Sequence, residues 1–134
     1  MPALGVGHVN LVVPSTKLEV LRIFYCDVVG LTIGHRPPLE RNGYWLYAGA
    51  RDVLHLTEPL EGEVRQLADG ATTYDHLAFQ CQDMAASEGW LKLFGVPYRK
   101  IRVPEQPKIQ LFFRDPLGHG VELEFVADDR TVTR

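Results

Sequence analysis

His8-Val9-Asn10-Leu11-Val12-Val13 and His76-Leu77-Ala78-Phe79-Gln80-Cys81 open two copies of one pattern, and reading them side by side decides the fold. Each begins with histidine and alternates in character as a half-buried strand does. Each is followed by a stretch of helical period that stops at a glycine. In the first copy Pro14 closes the strand, and Thr16-Lys17-Leu18-Glu19 matches the S/T-x-x-E pattern of a capping box. Leu18, Leu21, Tyr25 and Val28, with Phe24 beside them, then recur at steps of three and four up to Gly30. In the second copy Asp83 is placed to cap a helix reaching Phe94, with Met84, Trp90, Leu91 and Phe94 apolar, and Gly95 stops it.

Three strands follow each helix. Leu31 to His35, Tyr44 to Ala48 and Val53 to Thr57 belong to the first copy, with turn signals at Pro37-Pro38 and Asn42-Gly43. Val96 to Val103, Ile109 to Arg114 and Val121 to Val126 belong to the second, the last two joined by the turn Asp115-Pro116-Leu117-Gly118. The pattern is β-α-β-β-β twice, an α+β arrangement: modules over residues 6–58 and 74–127 of one domain spanning 1–134. Between them Glu58 to Tyr74 reads as a connector with a short helical turn at Val64 to Ala68, and Thr131 to Arg134 as a frayed tail.

Composition excludes several classes. A chain of 134 residues with 46% hydrophobic and 23% charged residues has the profile of a globular domain that builds its own core. A net charge of −3 argues against nucleic acid as a partner, since Lys108 and Arg99-Lys100 are too sparse for a basic stripe. No apolar run approaches the ~20 residues of a membrane helix, and the first residues lack the pattern of a secretory signal, so no membrane partner is expected. Cys26 and Cys81 lie in different segments without zinc-type spacing; they read as reduced, buried thiols of a cytoplasmic protein.

Strand parity collects the polar residues. His8, Asn10 and Val12 share a face opposite Val9, Leu11 and Val13; Val53, His55 and Thr57 oppose Leu54 and Leu56. His76, Ala78 and Gln80 oppose Leu77, Phe79 and Cys81, and Glu122 and Glu124 oppose Val121, Leu123 and Phe125. With each helix covering the apolar face, the other faces carry His8, His55, His76 and Glu122. His8 and His55 are 47 positions apart, His76 and Glu122 46, so the same two positions are polar in both copies. Polar residues on one face of a half-buried sheet are also what solvent alone selects. If the two sheets curl around a shared cavity, three imidazoles and a carboxylate make a site for Zn, Ni, Co, Mn or Fe(II). Tyr44, Trp45, Tyr47, Tyr98, Phe112, Arg36, Arg102 and Arg114 are candidate pocket residues; Tyr44, Tyr47, Arg102, Phe112 and Arg114 are assigned here to a small-molecule substrate. The aromatics suit a ring and the arginines an anionic group.

The chain resembles the vicinal oxygen chelate superfamily, which includes glyoxalase I, bleomycin- and fosfomycin-resistance proteins and extradiol dioxygenases. The resemblance lies in His8 to Val13, in Phe24-Tyr25-Cys26-Asp27-Val28-Val29-Gly30-Leu31, in Tyr74 to Phe79, and in Phe113 to Glu124 with its Asp115-Pro116-Leu117-Gly118-His119-Gly120-Val121-Glu122-Leu123 run. It implies two pseudo-symmetric βαβββ modules forming a cupped mixed sheet around a metal. It places His8 and His76 at first-strand ligand positions and Glu122 at the last-strand carboxylate. His55 falls where glyoxalase I has a glutamate and the methylmalonyl-CoA epimerases a glutamine; it departs from both and stands as fourth ligand, base or substrate contact. Glu124 either supports a ligand from behind or is a solvated strand-end carboxylate. Expected is a metal-dependent enzyme of dioxygenase or lyase/isomerase type, one divalent ion, Glu122 and His55 as catalytic groups, and a homodimer. The alternative is a drug-binding or resistance protein of the same fold without turnover.

Overall fold

In a computed structural model, residues 2–63 and 73–127 are described. The expected helical turn at Val64 to Ala68 and the tail at Thr131 to Arg134 lie outside them. The chain divides into two compact units, Met1–Leu67 and Ala68–Arg134.

The first unit holds β1 (Val9–Val12), α1 (Leu18–Ile23), β2 (Thr32–Ile33), β3 (Gly43–Ala48) and β4 (Arg51–Thr57). Its sheet has the order β1-β4-β3-β2, with β1 parallel to β4 and the other pairs antiparallel. The second repeats the plan with β5 (His76–Gln80), α2 (Met84–Leu93), β6 (Arg99–Arg102), β7 (Lys108–Arg114) and β8 (Gly120–Val126), in the order β5-β8-β7-β6. The expected α+β class and the doubled β-α-β-β-β order are therefore present.

The apolar faces behave as parity requires. Val13, Leu21, Leu46, Leu54 and Leu56 are fully buried in the first unit, and Leu91, Leu111 and Leu123 in the second. Beyond Ile23 the first helix widens into a π-turn, Phe24–Val29, in which Gly30 N–H bonds the Tyr25 carbonyl five residues back. That wider turn lets the neighbours Phe24 and Tyr25 both bury, and Gly30 at φ +96° closes the helix in the left-handed region, where only glycine is unstrained.

Four local expectations are corrected. No capping box forms: Thr16 sits inside a 3₁₀ turn, Ser15–Lys17, entered from Pro14, which has no side chain able to accept. Glu19 is occupied elsewhere, by Arg22 Nε at 2.8 Å and by the Tyr44 hydroxyl. The second strand is only Thr32–Ile33; Gly34 N–H still reaches the Trp45 carbonyl at 3.2 Å, and its missing side chain leaves room for the Tyr47 ring. The sixth is only Arg99–Arg102. Asp83 does cap α2, accepting from Ala86 N–H at 3.1 Å. Asp115 organises the expected turn by accepting from Leu117 and His119 N–H. Both cysteines are free and half-buried rather than fully buried.

Candidate functional site

In the first unit Asn10 of β1 and Trp45 of β3 flank His55 of β4 in the ladder. Ladder partners share a face, so His8, Asn10, Trp45, His55 and Thr57 stand together, opposite Tyr44, Leu46, Leu54 and Leu56. The His55 ring, 7% exposed, lies between His8 (centroids 3.9 Å apart, planes at 16°) and Trp45 (4.1 Å, 6°).

Asp52 joins this face by a route that alternation conceals. Leu46 pairs with Leu54 but Tyr47 pairs with Asp52, so Val53 is an extra residue, a β-bulge. Bulges re-aim side chains and are common beside active sites. Here one brings Asp52 Oδ2 to 2.7 Å from His55 Nε2. Burial is the largest influence on His55 and lowers its pKa; the Asp52 hydrogen bond opposes this, and His8 and Arg36 lower it further. The same bond with His55 lowers the Asp52 pKa.

Ligand atoms of His8, Asp52 and His55 all lie within 4.8 Å of one another. An ion at about 2.0–2.2 Å from its donors holds them roughly 3–4 Å apart, so small rotations suffice to close this group on one. The stack must open in the process. A metal lies in the plane of each imidazole it binds, and rings 16° from parallel direct their lone pairs along separate planes. His8, exposed and just ahead of the first ladder position, is the ring placed to turn.

The second unit repeats these positions. Ala78 of β5 and Phe112 of β7 flank Glu122 of β8, as Asn10 and Trp45 flank His55, and His76 precedes Ala78 by two residues as His8 precedes Asn10. Here the geometry is tighter. Glu122, 4% exposed, sets Oε1 3.0 Å from His76 Nε2 and accepts from Gln110 Nε2 at 3.3 Å on Oε2. About 3 Å is the separation of neighbouring donors on an octahedral ion with bonds near 2.1 Å. His76 Nδ1 lies 2.6 Å from Asp75 Oδ2, the carboxylate–histidine arrangement that leaves the other ring nitrogen for a metal. The Asp75 bond is also the largest cause of a raised His76 pKa, with Glu122 adding to it. Glu124, on the same face, instead approaches Lys108 Nζ at 3.5 Å.

Each unit has its own cleft. In the first, about 280 Å³ is lined by His8, Asn10, Arg36, Trp45, His55 and neighbours; in the second, about 180 Å³ by Asp75, His76, Arg99, Phe112, Arg114 and neighbours. The expected substrate residues divide accordingly. Phe112 and Arg114 line the second cleft, Phe112 edge-on to His76 and Arg114 donating to the Gly118 carbonyl at 2.8 Å. Tyr44 stands on the helix-covered face, its hydroxyl on Glu19; Tyr47 donates to the His35 carbonyl at 2.6 Å; Arg102 is exposed on β6. Tyr98 donates to Glu88 at 2.5 Å. None of these four borders either cleft. Asp52, Asp75 and Gln110 were missed. Asp75 adjoins a candidate ligand in the sequence, a readable signal; Asp52 depends on the bulge, which alternation does not reveal.

No family model matches the chain. It is 32% identical over 125 residues to the uncharacterized protein YaeR of Escherichia coli (strain K12), covering 88% of this chain and 93% of that one. It is 30% identical over 122 residues to Glyoxylase I 4 of Arabidopsis thaliana, covering 89% and 69%. Among solved structures, a glyoxylase/bleomycin resistance protein/dioxygenase domain from Frankia sp. EAN1pec matches with TM-score 0.70 at 20% identity over 92% of this chain and 98% of that one. Lactoylglutathione lyase from Agrobacterium tumefaciens matches with TM-score 0.63 at 24% identity over 93% and 96%. TnmS3, an antibiotic binding protein from Streptomyces sp. CB03234, matches with TM-score 0.64 at 19% identity over 95% and 100%. The doubled βαβββ plan and these likenesses define a glyoxalase-fold protein. The chain belongs to the vicinal oxygen chelate superfamily of glyoxalases, bleomycin-resistance proteins and dioxygenases.

Proposed function

We propose that the chain is a cytoplasmic metal-dependent enzyme acting on a small molecule with two neighbouring oxygens, and that His8, His55, His76 and Glu122 are the ligands of one divalent ion, Zn, Ni, Co, Mn or Fe(II). The observation that carries this reading is the 3.0 Å His76–Glu122 pair, backed by Asp75 and repeated in register by His8 and His55. Bound there, the ion supplies Lewis-acid polarisation of the two substrate oxygens.

The rest of the work falls to the chain. Glu122, where it is not engaged as a ligand, is the proton acceptor beside the second cleft, with Gln110 holding Oε2. His55 is likewise the proton-handling group of the first through Nδ1, since Asp52 accepts from Nε2–H and so fixes its tautomer. Asp52 also supplies a second carboxylate, which favours proton transfer between neighbouring carbons, the lyase and isomerase type, over ring cleavage. The experiment is elemental analysis of protein purified without chelators. It is followed by assay of the metal-loaded protein with a thiohemiacetal, a catechol under oxygen, and fosfomycin with a thiol. One ion per chain and turnover of the thiohemiacetal are expected; absence of bound metal and of metal uptake overturns the reading.

A second reading, small-molecule binding without turnover, is favoured by the His8–His55–Trp45 stack, a ready shelf for a flat ring. Tight binding of a ring compound by metal-free protein, with silence in all three assays, would support it.

A further inference from the structure

The two units repeat one plan, yet their carboxylates hold opposite nitrogens of the corresponding rings. In the second unit Asp75 Oδ2 lies 2.6 Å from His76 Nδ1, and Nε2 faces Glu122. In the first, Asp52 Oδ2 lies 2.7 Å from His55 Nε2. An ionised carboxylate has no proton to give, so the proton of each contact belongs to the ring, and the lone pair is left on the other nitrogen. For His76 that nitrogen is Nε2; for His55 it is Nδ1. The surroundings of His55 agree. His8 and Trp45 cover its two faces, so a partner in the ring plane must come to the edge, and Asp52 takes the Nε2 part of that edge. Nδ1 makes no hydrogen bond among the described residues, yet it is not sealed in: the one buried and unpartnered side-chain nitrogen or oxygen among them is Arg36 Nε. The ring also borders the first cleft. The β-bulge at Val53 causes the difference between the units, because under plain alternation Asp52 would stand on the opposite face from His55.

We infer that Asp52 is the positioning residue of the first unit: it holds His55 as the Nε2–H tautomer, so that His55 offers Nδ1 where His76 offers Nε2, and one ion is met by opposite ring nitrogens. Outer carboxylates fix the tautomer and direction of metal-binding histidines in this way. The inference rests on the proposed function only for the statement that these two nitrogens meet an ion. The choice of tautomer stands in the metal-free chain.

The test is NMR of the full chain carrying nitrogen-labelled histidine. It is recorded first metal-free in EDTA at alkaline pH, where the rings are neutral, and then after loading with NMR-active cadmium. Ring signals are assigned by comparison with His55→Gln and His76→Gln. In the metal-free chain the proton is expected on Nε2 of His55 and on Nδ1 of His76. In the loaded chain the coupling to cadmium is expected on Nδ1 of His55 and on Nε2 of His76. Asp52 is 36% exposed, so Asp52→Ala should stay folded, which circular dichroism checks. That variant should mix the two His55 tautomers, expose the Nε2 proton to exchange with water, and bind cadmium about 10- to 100-fold more weakly. A proton on Nδ1 of His55 in the wild-type chain, cadmium coupled to its Nε2, or an Asp52→Ala chain with unchanged tautomer and unchanged affinity overturns the inference. The two readings fail separately. A chain with the expected tautomers that takes up no cadmium keeps the role of Asp52 and overturns the metal centre; one that takes up cadmium through Nε2 of His55 keeps the centre and overturns the role of Asp52.

Discussion

Asp75 and Glu124 are both carboxylates near candidate ligands, and their contacts give them opposite importance. Asp75 holds His76 Nδ1, whereas Glu124 is turned to Lys108. Asp75→Asn should weaken divalent-metal binding about 10- to 100-fold, the usual effect of losing such a support. Glu122→Ala should weaken it far more than Glu124→Ala, with calorimetric titration of Mn or Zn as the measurement. A Glu124→Ala chain as defective as Glu122→Ala would contradict this. Cys81 yields an independent prediction. Burial, with the Glu124 charge adding to it, pushes its thiol up to about 11. Because the thiolate is the reactive form, only about one molecule in a thousand is reactive at pH 8. Labelling by a disulfide reagent should be slow in the folded chain, rise about tenfold per pH unit towards pH 11, and become ordinary in urea. At this scale the sequence was legible wherever simple alternation holds. His8, His55, His76 and Glu122 take the predicted faces, and alternation applied along β3 separates Tyr44 from Trp45. It was illegible at Asp52, because one inserted residue, Val53, inverts the parity of everything beyond it.

Among the elements, two glycines test different parts of the construction. Gly30 ends the π-turn at φ +96° with open space around it, so Gly30→Ala carries only the left-handed backbone penalty, about 1–2 kcal/mol, and should leave metal binding intact. Gly120 opens β8 opposite His76. A Cβ there would lie 2.2 Å from the Asp75 carbonyl oxygen and 3.0 Å from His76 Cβ. The β5–β8 ladder must separate to admit it, at roughly 1–3 kcal/mol for overpacking, and His76 moves with it. Gly120→Ala should therefore lose both stability and metal, read by urea unfolding beside metal titration. A stable, metal-competent Gly120→Ala chain would contradict the placement of His76. Helices and strands were legible through their apolar spacing, while their ends were not. The capping-box pattern at Thr16 to Glu19 failed because Tyr44 and Arg22, distant or local partners of Glu19, compete for the carboxylate the motif requires.

On the scale of the whole molecule, the sheets leave β1 and β2, and β5 and β6, as edges of their own sheets, and unprotected edges are normally covered. The members of the aromatic run Tyr44 to Tyr47 are engaged within the first unit: Tyr44 with Glu19, Trp45 with His55, Leu46 in the core, Tyr47 with His35. Large apolar side chains left exposed include Trp90, Leu93 and Phe94 on and beside α2, at 45, 73 and 44%, and also Leu4, Val6, Ile33, Leu39 and Val126 elsewhere. Aromatic residues are enriched in interface cores, so we propose that a homodimer, as expected from the sequence, would cover the α2 face with its Trp90 and Phe94. Light scattering at micromolar concentration should give a particle of about twice 15.1 kDa, and Leu93→Asp should halve it by burying a charge at the interface. A closed two-fold dimer duplicates every contact, so under the proposed metal centre it would bind two ions per particle. If the four residues act as the one ligand set proposed above, His8→Ala or His76→Ala alone should remove most of the bound metal. If each unit held an ion of its own, either substitution would leave half. A wild-type particle of 15.1 kDa would refute the dimer, and half-retained metal in both variants would refute the shared set.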